Sequence, residues 1–160
     1  MKEEGWKENE LPVFFGRLSV FFMIKICSYL TFNGNCREAM LFYKQCLGGK
    51  LLFQTLGDSP MGESLPPEMK KLILQASLIK DELVVLGTDM TADCGLIRGN
   101  SVSMMLQCSS KEEMIGCYNS LSAGGKASFP PAFNFQGAFF AELTDKYGNN
   151  WMLYFDKESR

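Results

Sequence analysis

The clearest hydrophobic pattern of the chain lies in residues 29–51, where the alternation of a strand gives way to the spacing of a helix. The helical part, residues 36–47, carries its apolar side chains along one face: Ala39, Phe42, Tyr43, Cys46 and Leu47. Asn35 stands at the N-cap position, with Glu38 in the capping-box position. The glycine pair at 48–49 predicts the end of the helix, because glycine adopts the left-handed conformation without a Cβ clash.

Alternating apolar positions predict four strands in the first half of the chain, at residues 24–32, 50–56, 70–80 and 82–90. Between the second and third strands, residues 57–68 are rich in glycine, proline and serine and are typical of a loop. We interpret this loop as a connection, with a lid over a pocket as the alternative.

The second half of the chain repeats this order of elements. It predicts strands at residues 101–108, 127–135, 137–145 and 149–156, the second interrupted by Pro130-Pro131, and a helix at 110–122. Glu38 and Tyr43 correspond to Glu113 and Tyr118, each pair 75 residues apart. The pattern therefore predicts an α+β fold of two tandem βαβββ modules, in which one face of each sheet is covered by a helix and the other curves over a shared pocket.

Composition narrows the function classes. The 160 residues are 46% hydrophobic and carry a net charge of −2, so the chain can bury one sizeable core. No run of lysine or arginine is present, which disfavours nucleic-acid binding. We also find no secretory leader and no apolar stretch of about 20 residues, so no membrane span is predicted.

Cysteine and histidine usage constrains the chemistry further. Six cysteines occur without C-x-x-C spacing, and we interpret them as free thiols of a cytoplasmic protein. The chain contains no histidine, which excludes Ser-His and Cys-His nucleophile pairs and zinc sites with histidine ligands.

Domain organisation is predicted as a single domain at residues 23–158, with module one at about 24–92 and module two at about 99–156. Residues 1–22 begin with an acidic decapeptide and continue into an apolar run broken by Pro12, Gly16 and Arg17. We interpret them as an extension that is not native to the domain, such as an upstream start codon read into the protein. The alternative is an added element that covers a sheet edge or a dimer contact.

Four segments carry a resemblance to the PhnB-like group of the vicinal oxygen chelate superfamily, which has the glyoxalase and bleomycin-resistance fold. They are YLTFNGNCREAMLFY (29–43), GNSVSMMLQCSSKEE (99–113), LSAGGK (121–126) and AELTDKYGNNWMLYF (141–155). The resemblance covers about residues 24–155 and implies paired modules and, by analogy, a homodimer.

Catalytic members of this superfamily bind a divalent metal through four side chains, two from each module. The resemblance places these positions at Ser28, on or near Ser77, and at Met152. Adding 75 residues to Ser28 gives Ser103 as the fourth, and adding 75 to Ser77 gives Met152 again. Hydroxyl and thioether groups are poor ligands for such ions. Many relatives have His-x-Glu where this chain has Gln75-Ala76-Ser77. We therefore predict no metal and no cofactor, with a divalent metal as the alternative.

The function predicted from these positions is binding of a small apolar or weakly polar molecule without a metal. The predicted pocket residues are Ser28, Gln75, Ser77, Ser103, Met105, Met152 and Tyr154, with Asn150 and Phe135 as further candidates. The second possibility is that these side chains only fill the interior.

Two other function classes stay open. One is a metal-dependent or carboxylate-based lyase, isomerase or dioxygenase, for which Glu142 is the candidate because alternation sends it opposite Ala141 and Leu143. The other is a dimeric interaction module without a ligand. PhnB-like proteins sometimes carry a methyltransferase label, but the sequence has no glycine-rich loop after a strand that would bind a nucleotide cofactor.

Overall fold

A computed structural model describes residues 26–156; the predicted extension at residues 1–22 lies outside this range. The strands are β1 (Ser28–Thr31), β2 (Lys50–Thr55), β3 (Ile73–Lys80), β4 (Leu83–Thr88), β5 (Met104–Gln107), β6 (Lys126–Phe133), β7 (Phe139–Thr144) and β8 (Asn150–Phe155). The helices are α1 (Cys36–Leu47), the short α2 (Pro67–Lys70) and α3 (Lys111–Leu121).

Each half of the chain forms a four-stranded mixed sheet, and the two sheets have the same topology. The strand order is β1-β4-β3-β2 in the first and β5-β8-β7-β6 in the second. In both, the first strand pairs with the last in parallel and the other pairs are antiparallel. The prediction of two tandem βαβββ modules in an α+β fold is confirmed.

One face of each sheet is covered by the helices. Ala76, Leu78 and Val85 of the first sheet share a buried cluster with Trp151 and Leu153 of the second. The cluster also takes in buried side chains of both long helices: Cys36, Ala39, Met40, Tyr43, Leu47, Met114, Tyr118 and Leu121. One continuous core therefore joins the two modules.

The opposite face of each sheet, which we call the open face, carries the residues that alternate with the core positions. In the first sheet, Leu52, Ser77 and Leu86 lie side by side across β2, β3 and β4. In the second, Met105, Met152 and Glu142 lie side by side across β5, β8 and β7. Large apolar side chains on this face stay exposed: Tyr29, Leu52, Ile79, Met105 and Phe129.

The constant separation of 75 residues holds for the helices but is wrong for the strands. Strand pairing makes Ser77 equivalent to Glu142, and Leu86 equivalent to Met152. Equivalent residues of these strands are fewer than 75 positions apart. The reason is that the connection before β3, residues 56–72, is longer than the connection before β7, residues 134–138. Adding 75 to Ser77 therefore leads to a different strand.

The helix ends were predicted in part. Ser110 accepts a hydrogen bond from the Glu113 N–H, and Glu113 accepts from the Ser109 N–H, so the capping interpretation of Glu113 is confirmed. The cap by Asn35 is wrong, since its side chain makes no capping hydrogen bond. Instead the carboxylate of Asp89, at the end of β4, accepts from the N–H of Cys36 at 2.9 Å.

The glycine pair after α1 ends the helix as predicted. Gly48 has φ 76° and donates its N–H to the Lys44 carbonyl. Gly49 has φ 95°, and a Cβ there would lie 2.7 Å from the Ile79 carbonyl oxygen. The pair therefore allows α1 to turn closely onto β3.

Two stretches differ from the predicted loop and strand. Residues 56–72 contain two 3₁₀ turns, Leu56–Asp58 and Gly62–Ser64, followed by α2. Strand β6 continues through Pro130-Pro131, with shifts in its pairing to β7. Proline is tolerated there because β6 is an edge strand, which has one side without ladder hydrogen bonds.

The junction between the modules is organised by Asp145, which lies in the turn between β7 and β8 and is 3% exposed. Its Oδ2 accepts hydrogen bonds from the Tyr43 hydroxyl at 2.6 Å and from Trp151 Nε1 at 2.8 Å. Its Oδ1 accepts from the N–H groups of Tyr147 and Asn149, each at 2.9 Å. Four donors therefore satisfy one buried carboxylate.

Tyr43 carries this connection from module two to helix α1 of module one. Its hydroxyl also accepts from Asn149 Nδ2 at 2.7 Å, and its ring centroid lies 5.6 Å from that of Trp151. Burial, followed by the neighbouring Asp145 carboxylate, raises the pKa of Tyr43, so it stays a hydrogen-bond donor.

A second contact joins the same elements at the surface. The Tyr147 hydroxyl donates to Glu38 Oε1 at 2.7 Å, and Lys146 Nζ lies 3.4 Å from the same oxygen. The Tyr147 hydrogen bond, and then the Lys146 hydrogen bond, hold the pKa of Glu38 below its usual range. Glu38 thus contacts module two as well as lying in the first turn of α1.

No helix within residues 26–156 is long and apolar enough to cross a membrane.

The two equivalent tyrosines give a matched test of this junction. We expect Tyr43→Phe to lower the free energy of unfolding by about 1–3 kcal/mol, because Asp145 and Asn149 each lose a buried partner. Tyr118→Phe is expected to be neutral or slightly stabilising, since the buried Tyr118 hydroxyl has no hydrogen-bond partner among the described residues. Urea denaturation of both variants measures the difference, and equal losses would contradict the assignment.

Asp89 offers a second test, because its Oδ1 accepts from Cys36 N–H and its Oδ2 from Ile73 N–H, both at 2.9 Å. An asparagine has only one side-chain oxygen, so Asp89→Asn leaves one buried N–H unpaired. We expect a loss of about 1–3 kcal/mol in the free energy of unfolding. The control is Asp93→Asn at an exposed position. An Asp89→Asn protein that melts with the wild type would argue against this cap.

Candidate functional site

The open face of the paired sheets carries most of the residues predicted for the pocket. Gln75 and Ser77 lie on β3, Met105 on β5, and Met152 and Tyr154 on β8, all alternating with core positions. Met105 and Met152 are direct partners across the sheet, and Gln107 pairs with Tyr154 one step along. The structure thus brings Met105, Met152 and Tyr154 of module two into one strip.

Ser28 and Ser103 lie apart from this strip. Ser28 pairs with Val85, which in turn pairs with the buried Leu78, so Ser28 falls on the covered face rather than the open one. Ser103 is exposed and directly precedes β5. The four predicted metal positions are therefore not equivalent by twofold symmetry, and they do not share one face.

Phe135 and Asn150 differ in their roles from the other candidates. Phe135 lies in the loop between β6 and β7 and is exposed, so it is no wall of the strip. Asn150 begins β8, and its amide is engaged on both sides: Oδ1 accepts from the Thr144 hydroxyl at 3.0 Å, and Nδ2 donates to the Val102 carbonyl at 3.4 Å.

A cleft of about 270 Å³ lies where the edges of β1 and β5 face each other. Tyr29 and Thr31 line it from module one, and Met104 and Asn150 from module two. The linker between the modules covers it with Leu96, Ile97, Arg98 and Val102. Its polar groups are few. Two of them are in contact, since Arg98 Nη1 lies 3.4 Å from Asn149 Oδ1.

The lining of this cleft is mostly apolar. Apolar walls from Tyr29, Met104 and Val102 surround a small number of hydroxyl and amide groups. Pockets of this kind bind small molecules through their apolar surface and use a few polar groups for orientation. Arg98 is exposed and supplies a positive charge at the rim.

The side chains at equivalent positions of the two modules lack the donor atoms that a divalent metal ion requires. On the open face, the paired strands β1 and β4 offer Tyr29 and Leu86, and β5 and β8 offer Met105 and Met152. The next positions along the strands are Thr31, Thr88, Gln107 and Tyr154. Such ions require carboxylate or imidazole ligands, and these side chains supply neither. Within residues 26–156, no group of three acidic or thiol side chains could hold a metal ion.

Glu142 is the carboxylate that the open face of module two presents. It pairs with Met152 on one side and Phe129 on the other and is exposed, opposite Ala141 and Leu143 as alternation predicted. Its equivalent in module one is Ser77, which is 1% exposed. The two halves of the face thus differ by one charge at equivalent positions.

Several lining residues were missed from the sequence. Leu86, Phe129 and Phe140 share the open face, and Ile97 and Arg98 cover the cleft. Alternation alone could have placed Leu86, since it lies two residues from Val84 and Thr88 on the same strand. The linker carries no periodic pattern, so its position over the cleft could not be inferred.

Comparisons with known proteins give the family. The profile of a family described as 3-demethylubiquinone-9 3-methyltransferase matches residues 24–154. Protein YjdN of Escherichia coli is 26% identical over 135 residues, which cover 78% of this chain and 90% of YjdN.

Solved structures agree with this assignment. Protein PA1353 from Pseudomonas aeruginosa superposes with a TM-score of 0.72 at 34% identity, covering 84% of this chain and 98% of PA1353. A PhnB protein from Bacillus cereus has a TM-score of 0.64 at 20% identity, covering 83% of this chain and 100% of its own.

The fold extends to more distant proteins. A glyoxalase/bleomycin resistance protein from Albidiferax ferrireducens has a TM-score of 0.57 at 16% identity, covering 81% of this chain and 98% of that protein. The match of the family profile, the shared topology and these neighbours agree with the motifs at residues 29–43 and 141–155. The chain therefore belongs to the family described as 3-demethylubiquinone-9 3-methyltransferase, and it shares its fold with the PhnB protein and the glyoxalase/bleomycin resistance protein.

Proposed function

We propose that this protein binds a small apolar or weakly polar molecule on the open face and in the adjoining cleft, without a metal ion. The observation that carries the proposal is the composition of the face. Its large side chains, such as Tyr29, Met105 and Phe129, are apolar and exposed, while its polar groups are mostly neutral. An exposed apolar surface of this kind is favourable to cover with a ligand.

Methionine suits such a surface. Met105 and Met152 pair across β5 and β8, and Met104 lines the cleft beside them. The unbranched thioether adapts to ligands of different shape, so these positions favour a binding site of broad specificity.

The family description as a methyltransferase is not part of the proposal. Within the described residues, both Gly-Gly pairs follow helices: Gly48-Gly49 ends α1, and Gly124-Gly125 follows α3. A loop that binds a nucleotide cofactor would instead follow a strand and open a helix.

A pair of charge insertions tests the location of the site. We expect Met105→Lys to weaken binding of the neutral apolar dye Nile red at least about tenfold, because a ligand would have to desolvate the new ammonium group. The control is Ile115→Lys on α3, which adds the same charge at a hydrophobic position that is 41% exposed, compared with 68% for Met105.

Fluorescence titration with Nile red gives both affinities, and circular dichroism confirms that both variants are folded. Equal affinities for Met105→Lys and Ile115→Lys, or a larger loss for the control, would contradict binding on the open face.

Glu142 supports a second candidate function, that of a carboxylate-based enzyme. Its carboxylate lies on the open face between Met152 and Phe129, where it could exchange a proton with a bound molecule. We expect Glu142→Gln to leave Nile red binding unchanged if the protein only binds its ligand. In a screen for turnover of small carbonyl compounds, an activity that this substitution abolishes would favour the enzyme.

We also propose a homodimer, as the resemblance implies. Its support is the number of large apolar side chains that the single chain leaves exposed, including Phe133 on the edge strand β6 and Val102 before β5. Sedimentation equilibrium measures the mass in solution. A single species with the mass of one chain across the micromolar range would contradict the dimer.

A further inference from the structure

The twofold relation between the modules sets two junctions side by side, and only one of them is filled with aromatic side chains. At the first, Phe32 and Phe42 pack against Tyr147 with ring centroids 6.2 and 5.6 Å apart. Phe32 follows β1 and donates its N–H to Thr88. At the second junction Cys108 follows β5 and donates its N–H to Tyr154 in the same way. Cys108 therefore replaces a phenylalanine.

The other aromatic positions are also replaced. Phe42 of α1 corresponds to Cys117 of α3, 75 residues later, in the separation that relates the two helices. The turn between β3 and β4 contains Asp81 and Glu82, where the longer turn between β7 and β8 contains Tyr147. Two cysteines and two acidic residues thus occupy the positions at which the first junction has three aromatic side chains.

The loss of ring volume leaves a cleft of about 200 Å³ at this second junction, which we call the thiol cleft. Its charged lining consists of Lys80, Asp81, Glu82 and Glu113. Its remaining lining includes Cys108, Cys117, Leu47 and Leu106. Both sulfur atoms therefore belong to residues that line one opening, which is large enough to admit part of a small thiol compound.

Cys108 and Cys117 are neighbours that line the same cleft. Interaction with the Cys108 thiol lowers the pKa of Cys117 to about 7, against the opposing effects of burial and Glu113. Lys80 across the cleft also lowers it, and Cys46 on α1 is a further neighbour. Interaction with Cys117, followed by burial, raises the pKa of Cys108. The Cys108 Sγ lies 3.9 Å from the Leu106 carbonyl oxygen. Cys117 is thus the better nucleophile of the two.

We propose that Cys108 and Cys117 form a reversible dithiol pair that low-molecular-weight disulfides oxidise in the thiol cleft, with Cys117 as the attacking thiol and Cys108 as the resolving thiol. The proposal concerns the second junction and is independent of ligand binding on the open face. The observation that carries the proposal is that two neighbouring thiols line one cleft, which a small disulfide can enter.

The chemistry balances in two exchanges. The Cys117 thiolate attacks one sulfur of the small disulfide, a mixed disulfide forms, and one small thiolate leaves. Cys108 then loses its proton to solvent and attacks the Cys117 sulfur, the mixed disulfide breaks, and the second small thiolate leaves. Two protein thiols are oxidised while one small disulfide is reduced to two thiols.

The remaining thiols lack this arrangement. Burial raises the pKa of Cys36 to about 12, and burial raises that of Cys46 to about 11. Cys94 is exposed on the linker, with its thiol near the Gly95 carbonyl, and so provides a matched control for accessibility.

The test uses the full-length reduced protein with glutathione disulfide as the probe, followed by intact-mass measurement and peptide mapping under non-reducing conditions. We expect the wild-type protein to lose two hydrogens and to yield a linked peptide that joins Cys108 and Cys117. Cys108→Ser should retain one glutathione on Cys117, because the resolving thiol is gone. Cys117→Ser should form no internal disulfide, and Cys94→Ser should behave as the wild type.

The rate of the first exchange provides a readout that does not depend on a variant. Because the thiolate fraction of Cys117 saturates about one unit above a pKa of about 7, the rate should level off near pH 8. An ordinary cysteine with a pKa of about 8.5 would continue to accelerate. A linked peptide that joins other cysteines, an adduct of Cys108→Ser on Cys94 instead of Cys117, or an unmodified wild-type protein would each overturn the proposal.

Discussion

The buried carboxylate of Asp145 is the interaction on which the arrangement of the two modules depends. It accepts from Tyr43 of the first module and from Trp151 of its own, and the N–H groups of Tyr147 and Asn149 satisfy its other oxygen. A buried charge is costly unless it is paired or fully hydrogen-bonded, so this carboxylate requires the two modules to meet in one geometry. That geometry places helices α1 and α3 over one core and leaves the opposite faces of both sheets open.

The shared topology of the two modules creates two equivalent junctions between them, and these junctions differ in composition. At the position equivalent to Asp145, the first module has Lys80, whose Nζ donates to the Leu47 carbonyl at 3.1 Å. Tyr118, the equivalent of Tyr43, therefore meets no carboxylate, and its hydroxyl is buried without a partner among the described residues. The polar junction holds the modules together, whereas the second junction has an open cleft that two cysteines line.

The repeated order of elements could be predicted because alternation and helical spacing depend on local sequence. The bounds of α1 agree with the pattern of apolar residues, and the glycine pair marks its end. The equivalence of strands could not be read by a constant separation, since the longer connection at 56–72 changes it. The constant separation therefore made Ser103, instead of Met104, the counterpart of Ser28, and it made Met152, instead of Glu142, the counterpart of Ser77.

The roles of the two buried carboxylates, Asp145 and Asp89, could not be predicted from the sequence either. Asp145 ends the predicted strand at residues 137–145, and nothing local distinguishes it from an exposed turn aspartate. Asp89 caps α1 from a strand that lies 53 residues later, and this tertiary bond took the place of the local cap by Asn35. Long-range hydrogen bonds of this kind depend on how the modules pack, which periodicity does not encode.

The open face carries Tyr29, Leu86, Met105 and Met152 at its equivalent positions, and these side chains are unsuited to a divalent metal. The proposed function therefore relies on apolar contact rather than ion coordination to hold a ligand. The most direct test is the melting temperature of chelator-treated protein with added manganese, nickel or magnesium ions. We expect no change in the melting temperature with any of these ions. A stabilisation of about 3 kcal/mol at a hundredfold excess over the dissociation constant, with stoichiometric metal bound, would contradict it.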